Sequence, residues 1–161
     1  MKKANYTNQK GFTLIELLIV ITIIAALAVT VFVALNPIKR LADSRDSRRT
    51  ADVETILTAI HEYIVDNKGN LPTNLSTGMA EKMLGTGPSA CTLVQANCNT
   101  TTAACIDIST PLNKYLKSMP VDPGATYSAL VTGYAVSVDA NNIVTVKACG
   151  GENIQNISQS R

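Results

Sequence analysis

The chain opens with one apolar block and then changes periodicity twice. Between Lys10 and Pro37 it reads KGFTLIELLIVITIIAALAVTVFVALNP, and from Phe12 to Leu35 only Thr13, Thr22, Thr30 and the single charge Glu16 interrupt 24 residues. At about 1.5 Å per residue such a helix is about 36 Å long, enough for a ~30 Å hydrocarbon core. A secretory signal has a shorter apolar core ending in small residues, and a carboxylate within the run argues further against one. A plain single-pass anchor fits the length. It leaves Glu16 unexplained, at a cost of about 2.5–3.5 kcal/mol near a bilayer centre and less towards the interface.

Beyond Pro37 the period becomes helical and one-sided. Ile38, Leu41, Val53, Ile56, Leu57, Ile60 and Ile64 fall mostly three and four apart, the spacing of one helix face. Lys39, Arg40, Arg45, Arg48 and Arg49 interleave with Asp43, Asp46, Asp52 and Glu54, which reads as a solvated face with pairs such as Asp52 with Arg48 or Arg49. Gly69 supplies a left-handed cap and Pro72 a stop. The pattern predicts one helix of about 55 residues, bent at Pro37, apolar all round in its first half and amphipathic in its second.

After Leu71 the signals weaken, with one short helical patch around Met79–Leu84. STPLNKYLKSMPVDPG predicts a short helix capped by Ser109 or Thr110, with Pro111 in its first turn and Leu112, Tyr115 and Leu116 facing inward. GYAVSVDANNIVTVKAC alternates with period two, predicting a hairpin: Tyr134, Val136 and Val138 on one face, a turn over Asp139–Asn142, and a return strand that starts at Ile143 or Val144 and runs through Val146 and Ala148. Tyr127–Val131 is a candidate third strand, and the tail GGENIQNISQSR reads as polar and flexible. The sheet needs a cover, and the Val53–Ile64 stripe supplies it. The fold class is therefore α+β, a long N-terminal helix packed on a small C-terminal antiparallel sheet. Four stretches follow: 1–11 a leader, 12–35 the apolar helix, 36–68 its amphipathic continuation and 69–161 the globular domain.

Charge narrows the function classes. The net charge of +2 includes Lys2, Lys3 and Lys10; without them 11 basic residues face 12 acidic ones. A phosphate-binding surface is not available, which argues against nucleic acid as a partner. Basic residues ahead of the apolar run favour a cytoplasmic N-terminus and an exported C-terminus. Cys91, Cys98, Cys105 and Cys149 form no Cys-x-x-Cys pair, and the one histidine, His61, lies far from them, so zinc is not indicated. An even count in an exported domain points to disulfides rather than buried thiols, with three pairings open if all four are bridged. The reading leans towards a bridge closing the Cys91–Cys105 loop, with Cys149 returning to it.

The stretch KGFTLIELL resembles the processing and assembly signal of bacterial type IV pilins and type II secretion pseudopilins: a basic leader ending in Gly11, then Phe12, Glu16 and an unbroken apolar run. YLKSMPVDP and TGYAVSVDANN resemble the C-terminal regions of some members. The resemblance implies the type IV pilin fold, which agrees with the α+β reading. It implies a prepilin peptidase that cuts after Gly11 and N-methylates Phe12, a chain held in the inner membrane, and an inner-membrane assembly machinery that draws it into a homopolymeric extracellular filament. It gives Glu16 a role: pairing with the ammonium of a neighbour's Phe12, which sets register more than it adds stability. Two features depart from the family: no proline falls within the apolar run, and the leader is long beside a compact mature chain.

The implied function is a non-enzymatic structural subunit, the major pilin of a type IV pilus. The alternatives are a major pseudopilin of a type II secretion system and a minor tip adhesin that binds through the cysteine-rich loop. No catalytic constellation surrounds His61, which reads as a surface or packing residue. No cofactor is expected. Some major pseudopilins bind calcium in this C-terminal region, which makes Asp139, Asn141 and Asn142 calcium candidates, but a hairpin turn is the preferred reading because six or more oxygens are not assignable. Asn74-Leu75-Ser76 and Asn156-Ile157-Ser158 match a glycosylation triplet that arises readily by chance.

Overall fold

The computed structural model describes residues 11–89, 91–95, 97–100 and 102–161; the leader up to Lys10 lies outside them. The chain forms two compact units, one ending at Arg40 and one running from Leu41 to Arg161.

The first unit contains helix α1, Leu14–Leu35, in which no residue is buried. Its hydroxyls are satisfied within the helix, Thr22 donating to the Ile19 carbonyl and Thr30 to that of Leu27, each at 2.7 Å. With no water in a bilayer core, such internal partners are what an apolar helix with threonines requires. Among the described residues it is the one helix long and apolar enough to cross a membrane.

Helix α2 spans Pro37–Asp66. The expected single bent helix is instead two. Asn36 takes a left-handed conformation, φ 41°, that ends α1, and its Oδ1 accepts the Lys39 N–H to begin α2. Proline disfavours the α region for the residue before it, and asparagine tolerates the left-handed alternative. Past Asp66 the chain turns through Lys68 at φ 58° and Gly69 at φ 88°, with the Gly69 N–H donating to the Ile64 carbonyl.

In the second unit, β1 (Lys82–Met83), β4 (Tyr134–Val138), β5 (Val144–Ala148) and β6 (Ser158–Ser160) form an antiparallel sheet in the order β1-β4-β5-β6. A separate hairpin joins β2 (Leu93–Gln95) to β3 (Cys98–Thr100). The central pairing sets Tyr134 opposite Ala148 and Val138 opposite Val144. Val53, Ile56, Leu57 and Ile60 of α2 pack on Tyr134, Val136, Val144 and Val146 in one core. Leu112 of the short helix α3, Ser109–Leu112, joins it, with Tyr115 and Leu116 against its edge. The N-cap position of α3 is Ile108, not Ser109 or Thr110, and it offers no side-chain cap bond; Asp107, one residue earlier, accepts the Ser109 N–H through Oδ1 at 2.8 Å.

Three local expectations are corrected. Met79–Leu84 is not helical: Lys82–Met83 pairs with β4, because six residues bounded by Gly78 and Gly85 cannot repay helix nucleation while a sheet edge offers partners. Tyr127–Val131 is not a strand: Ser128 and Val131 exchange both backbone bonds, closing a tight turn. The tail is built in, since β6 pairs with β5 and Arg161 exchanges backbone bonds with Val144. The second face of β4 is covered as well. Met83 and Ala135 pack there on Cys91, Cys98 and Cys149, held by the disulfides Cys91–Cys105 and Cys98–Cys149.

The charged face of α2 is not wholly solvated either. Its buried stripe runs Ala42, Asp46, Arg49, Val53, Ile56, Ile60, so an acid and a base hold positions where the helical period calls for apolar residues. Ile38 and Leu41, by contrast, stay exposed. Arg49 is 2% exposed and forks onto Asp122, Nε to Oδ2 at 2.7 Å and Nη2 to Oδ1 at 2.9 Å. Its Nη1 reaches Asp46 at 2.8 Å and Glu152 at 3.0 Å. Asp46 also accepts the backbone N–H groups of Glu152, Asn153 and Ile154 at 3.1, 2.7 and 2.8 Å. Burial pushes the Asp46 carboxyl up, but these donors outweigh it and hold it below the usual range. A Cβ on Gly150 falls 2.8 Å from Asp122 Oδ2, so glycine lets the turn after β5 pass so close to the cluster.

Glu152 closes the rim of the cluster. Its hydrogen bonds to Arg45, then Arg49, lower its carboxyl from 4.5 to about 2. A carboxyl lowered in the folded state contributes stability that is complete above pH ~4.5 and lost as pH falls towards ~2. Acid titration followed by near-UV circular dichroism is expected to show loss of packing in that window. Glu152→Gln removes this contribution, so stability at neutral pH falls and its decline between pH 4.5 and 2 is shallower.

Candidate functional site

Before α1 the backbone is extended, and the residues that start the helix also define the site. Thr13, with φ −82° and ψ 151°, is the N-cap. The Glu16 N–H donates to Thr13 Oγ1 at 3.3 Å, while the Thr13 N–H and hydroxyl both donate to Glu16 Oε2 at 2.8 Å. This is a reciprocal capping box, which satisfies two N–H groups that a helix start otherwise leaves without partners. Glu16 is therefore at the end of the apolar helix rather than within it, and its carboxylate has local donors. Both bonds fall on Oε2, which leaves Oε1 its capacity to accept from a cation.

Gly11 and Phe12 precede the cap. Nothing lies within 4 Å of the position a Gly11 Cβ would occupy, and Phe12 is 93% exposed. Gly11 and Phe12 are exposed and outside any helix. One turn thus brings together a bond open to cleavage, the residue whose amine cleavage would free, and a carboxylate one helical turn on. The sequence reading placed Gly11, Phe12 and Glu16 but missed Thr13 as the partner of Glu16. The signal was present, since Thr-x-x-Glu ahead of an apolar run is a capping-box pattern.

The remaining candidates lie in the second unit. Asp139 Oδ1 accepts the N–H groups of Asn141 and Ile143 at 2.8 and 2.7 Å, and Asn142, at φ 64°, accepts from Thr77. These oxygens are engaged in a hairpin turn. Among the described residues no group of three or more His, Cys, Asp or Glu is placed to hold a metal. His61 meets the backbone carbonyls of Leu57 and Arg161. Asn74 donates its amide to the Asp107 carbonyl at 2.7 Å, and Asn156 lies exposed in a turn at φ 59°.

Comparison with known proteins bears on the first of these sites. Residues 6–32 match the family described as the prokaryotic N-terminal methylation motif. No curated protein and no solved structure matches the chain. The chain carries the N-terminal methylation motif that is the hallmark of type IV pilin and pseudopilin prepilins, on an α+β architecture consistent with the pilin fold.

Proposed function

We propose that this chain is the major structural subunit of a type IV pilus, a non-enzymatic protein that polymerises through α1. The observation that supports it is the methylation motif at residues 6–32 set on an exposed Gly11–Phe12 bond ahead of a 22-residue apolar helix with no buried residue. In this reading a prepilin peptidase removes residues 1–11 on the cytoplasmic side and methylates Phe12. The mature chain waits in the inner membrane by α1, with its second unit exported. An assembly machinery then draws it into a filament on the cell surface, where helices that spanned lipid pack on one another. Electron microscopy with intact mass on sheared fibres tests this. Fibres built of a chain beginning at methylated Phe12 support it. A processed chain that yields no surface fibres indicates a periplasmic pseudopilin, and an unprocessed membrane-bound chain overturns both.

Glu16 would act twice, first as the capping partner of Thr13 and then as the counter-ion of a neighbour's Phe12 ammonium. Removing one partner of a buried charge pair costs about 3–5 kcal/mol, roughly a hundredfold or more. Glu16→Ala is therefore expected to be processed and held in the membrane normally while fibre yield falls by at least about a hundredfold, read by immunoblot of sheared and membrane fractions. Undiminished fibres with the same axial rise would exclude the pairing.

A further inference from the structure

Charge along α2 runs against the helix dipole. Residues 37–49 carry five basic and two acidic side chains, whereas 50–66 carry four acidic side chains and no Lys or Arg. Acids are favoured at helix N-termini and bases at C-termini, yet α2 has no acid in its first turn and no base in its last. The internal Arg49 cluster accounts for only part of this pattern. Arg40 and Arg48, and then Glu54 and Glu62, all lie on the exposed face. Arg48 approaches Asp52 only at 3.7 Å and stays 63% exposed. Glu54 and Glu62 line a groove on this face together with Ala51, Thr55, Thr58, Ala59 and Tyr115.

We infer that this groove receives the basic half of α2 from a second copy of the chain, in a parallel and axially staggered contact. Arg40 to Glu54 and Arg48 to Glu62 are the same 14 positions apart, about 21 Å along a helix. One stagger therefore brings both pairs together, and it also sets Leu41, an exposed leucine, level with Thr55 over the groove. Parallel helices in register would oppose like charges, which suppresses that alternative. An antiparallel pairing is closed to copies drawn from one membrane with one polarity. The inference rests on the filament reading above. It assigns register to a second place besides Glu16, on the surface of the exported domain and towards a different neighbour, because Phe12 and Glu16 are four positions apart rather than 14.

Charge reversal in the full chain tests it. Arg48→Glu and Glu62→Arg are each expected to lower the yield of sheared fibres by about tenfold or more, through like-charge opposition across the contact. The double variant is expected to recover fibres to within about threefold of wild type, the sign of a paired interaction. Arg48→Gln and Glu62→Gln, expected to lower yield in the same direction, carry the test where a reversal fails to fold. Single variants that assemble like wild type overturn the contact. Single variants that fail without rescue in the double overturn it too and assign the groove to another partner, such as the assembly machinery. Absence of fibres from wild-type cells instead overturns the filament reading and this inference with it.

Discussion

Asp122→Ala is expected to destabilise the second unit by up to about 3–5 kcal/mol, because it leaves a buried guanidinium without its principal partner. Arg49 gives two of its N–H groups to Asp122 at 2.7 and 2.9 Å, and both side chains are almost fully buried. Asp46 and Glu152 remain to it, so the loss should fall below that of a lone buried cation. Domains of this size have about 5–15 kcal/mol in total, so the loss is a large share of it. It corresponds to a fall in Tm of about 10–20 °C, measurable by thermal unfolding of the full chain in detergent. Arg49→Ala is expected to be at least as damaging, since it strands two buried carboxylates at once. The pair Arg49→Met with Asp122→Leu separates two explanations. Replacing a buried ion pair by apolar residues of similar volume is often neutral or stabilising, so the double variant should be more stable than either single one. A double variant as weak as Asp122→Ala would mean that apolar packing does not offset the buried Asp46 carboxylate left without Arg49.

The parts of the fold with strong periodicity were legible in the sequence. The apolar run became α1, the alternation from Tyr134 to Ala148 became the β4–β5 hairpin, and the Val53–Ile60 stripe covers it. What was not legible depends on partners distant in the chain. The helical period sets Asp46 and Arg49 in line with Val53, Ile56 and Ile60, but nothing local to them supplies the partners that buried charges need. They are buried because Asp122 and the 152–154 backbone, more than seventy residues on, converge there. The same holds for β1 and β6, each too short to show a period and formed only because a sheet edge awaits them. In the candidate site, Gly11, Phe12 and Glu16 were readable because their neighbours in space are their neighbours in sequence. Thr13 was readable by the same logic and was overlooked because a threonine in an apolar run looks like an interruption rather than a cap.

Removing the Cys98–Cys149 bridge is expected to cost more than removing Cys91–Cys105, for two reasons. It links residues 51 apart against 14, and in the chain-entropy account the longer loop is worth about 4 kcal/mol and the shorter about 3 kcal/mol. The second reason is positional. Cys149 is followed directly by Gly150 and Gly151 and then by the three residues whose N–H groups cap Asp46. Two glycines are poor anchors by themselves, so the bridge fixes where that segment begins its approach to Arg49. Alanine pairs avoid placing new hydroxyls in the apolar layer with Met83 and Ala135. Urea unfolding of Cys98→Ala with Cys149→Ala, of Asp46→Asn, and of the combination completes a cycle. Residues that act through one network couple by about 0.5–3 kcal/mol, whereas independent ones add to within about 0.5 kcal/mol. The expected result is coupling, the combination losing less than the sum because an unanchored segment no longer presents its donors. The same cycle run with Cys91→Ala and Cys105→Ala should add independently, since that bridge closes its own loop and leads to none of the Arg49 partners. Additivity in both cycles would show that the disulfides act only by constraining the unfolded chain, and that the position of Cys149 beside the cluster has no energetic consequence.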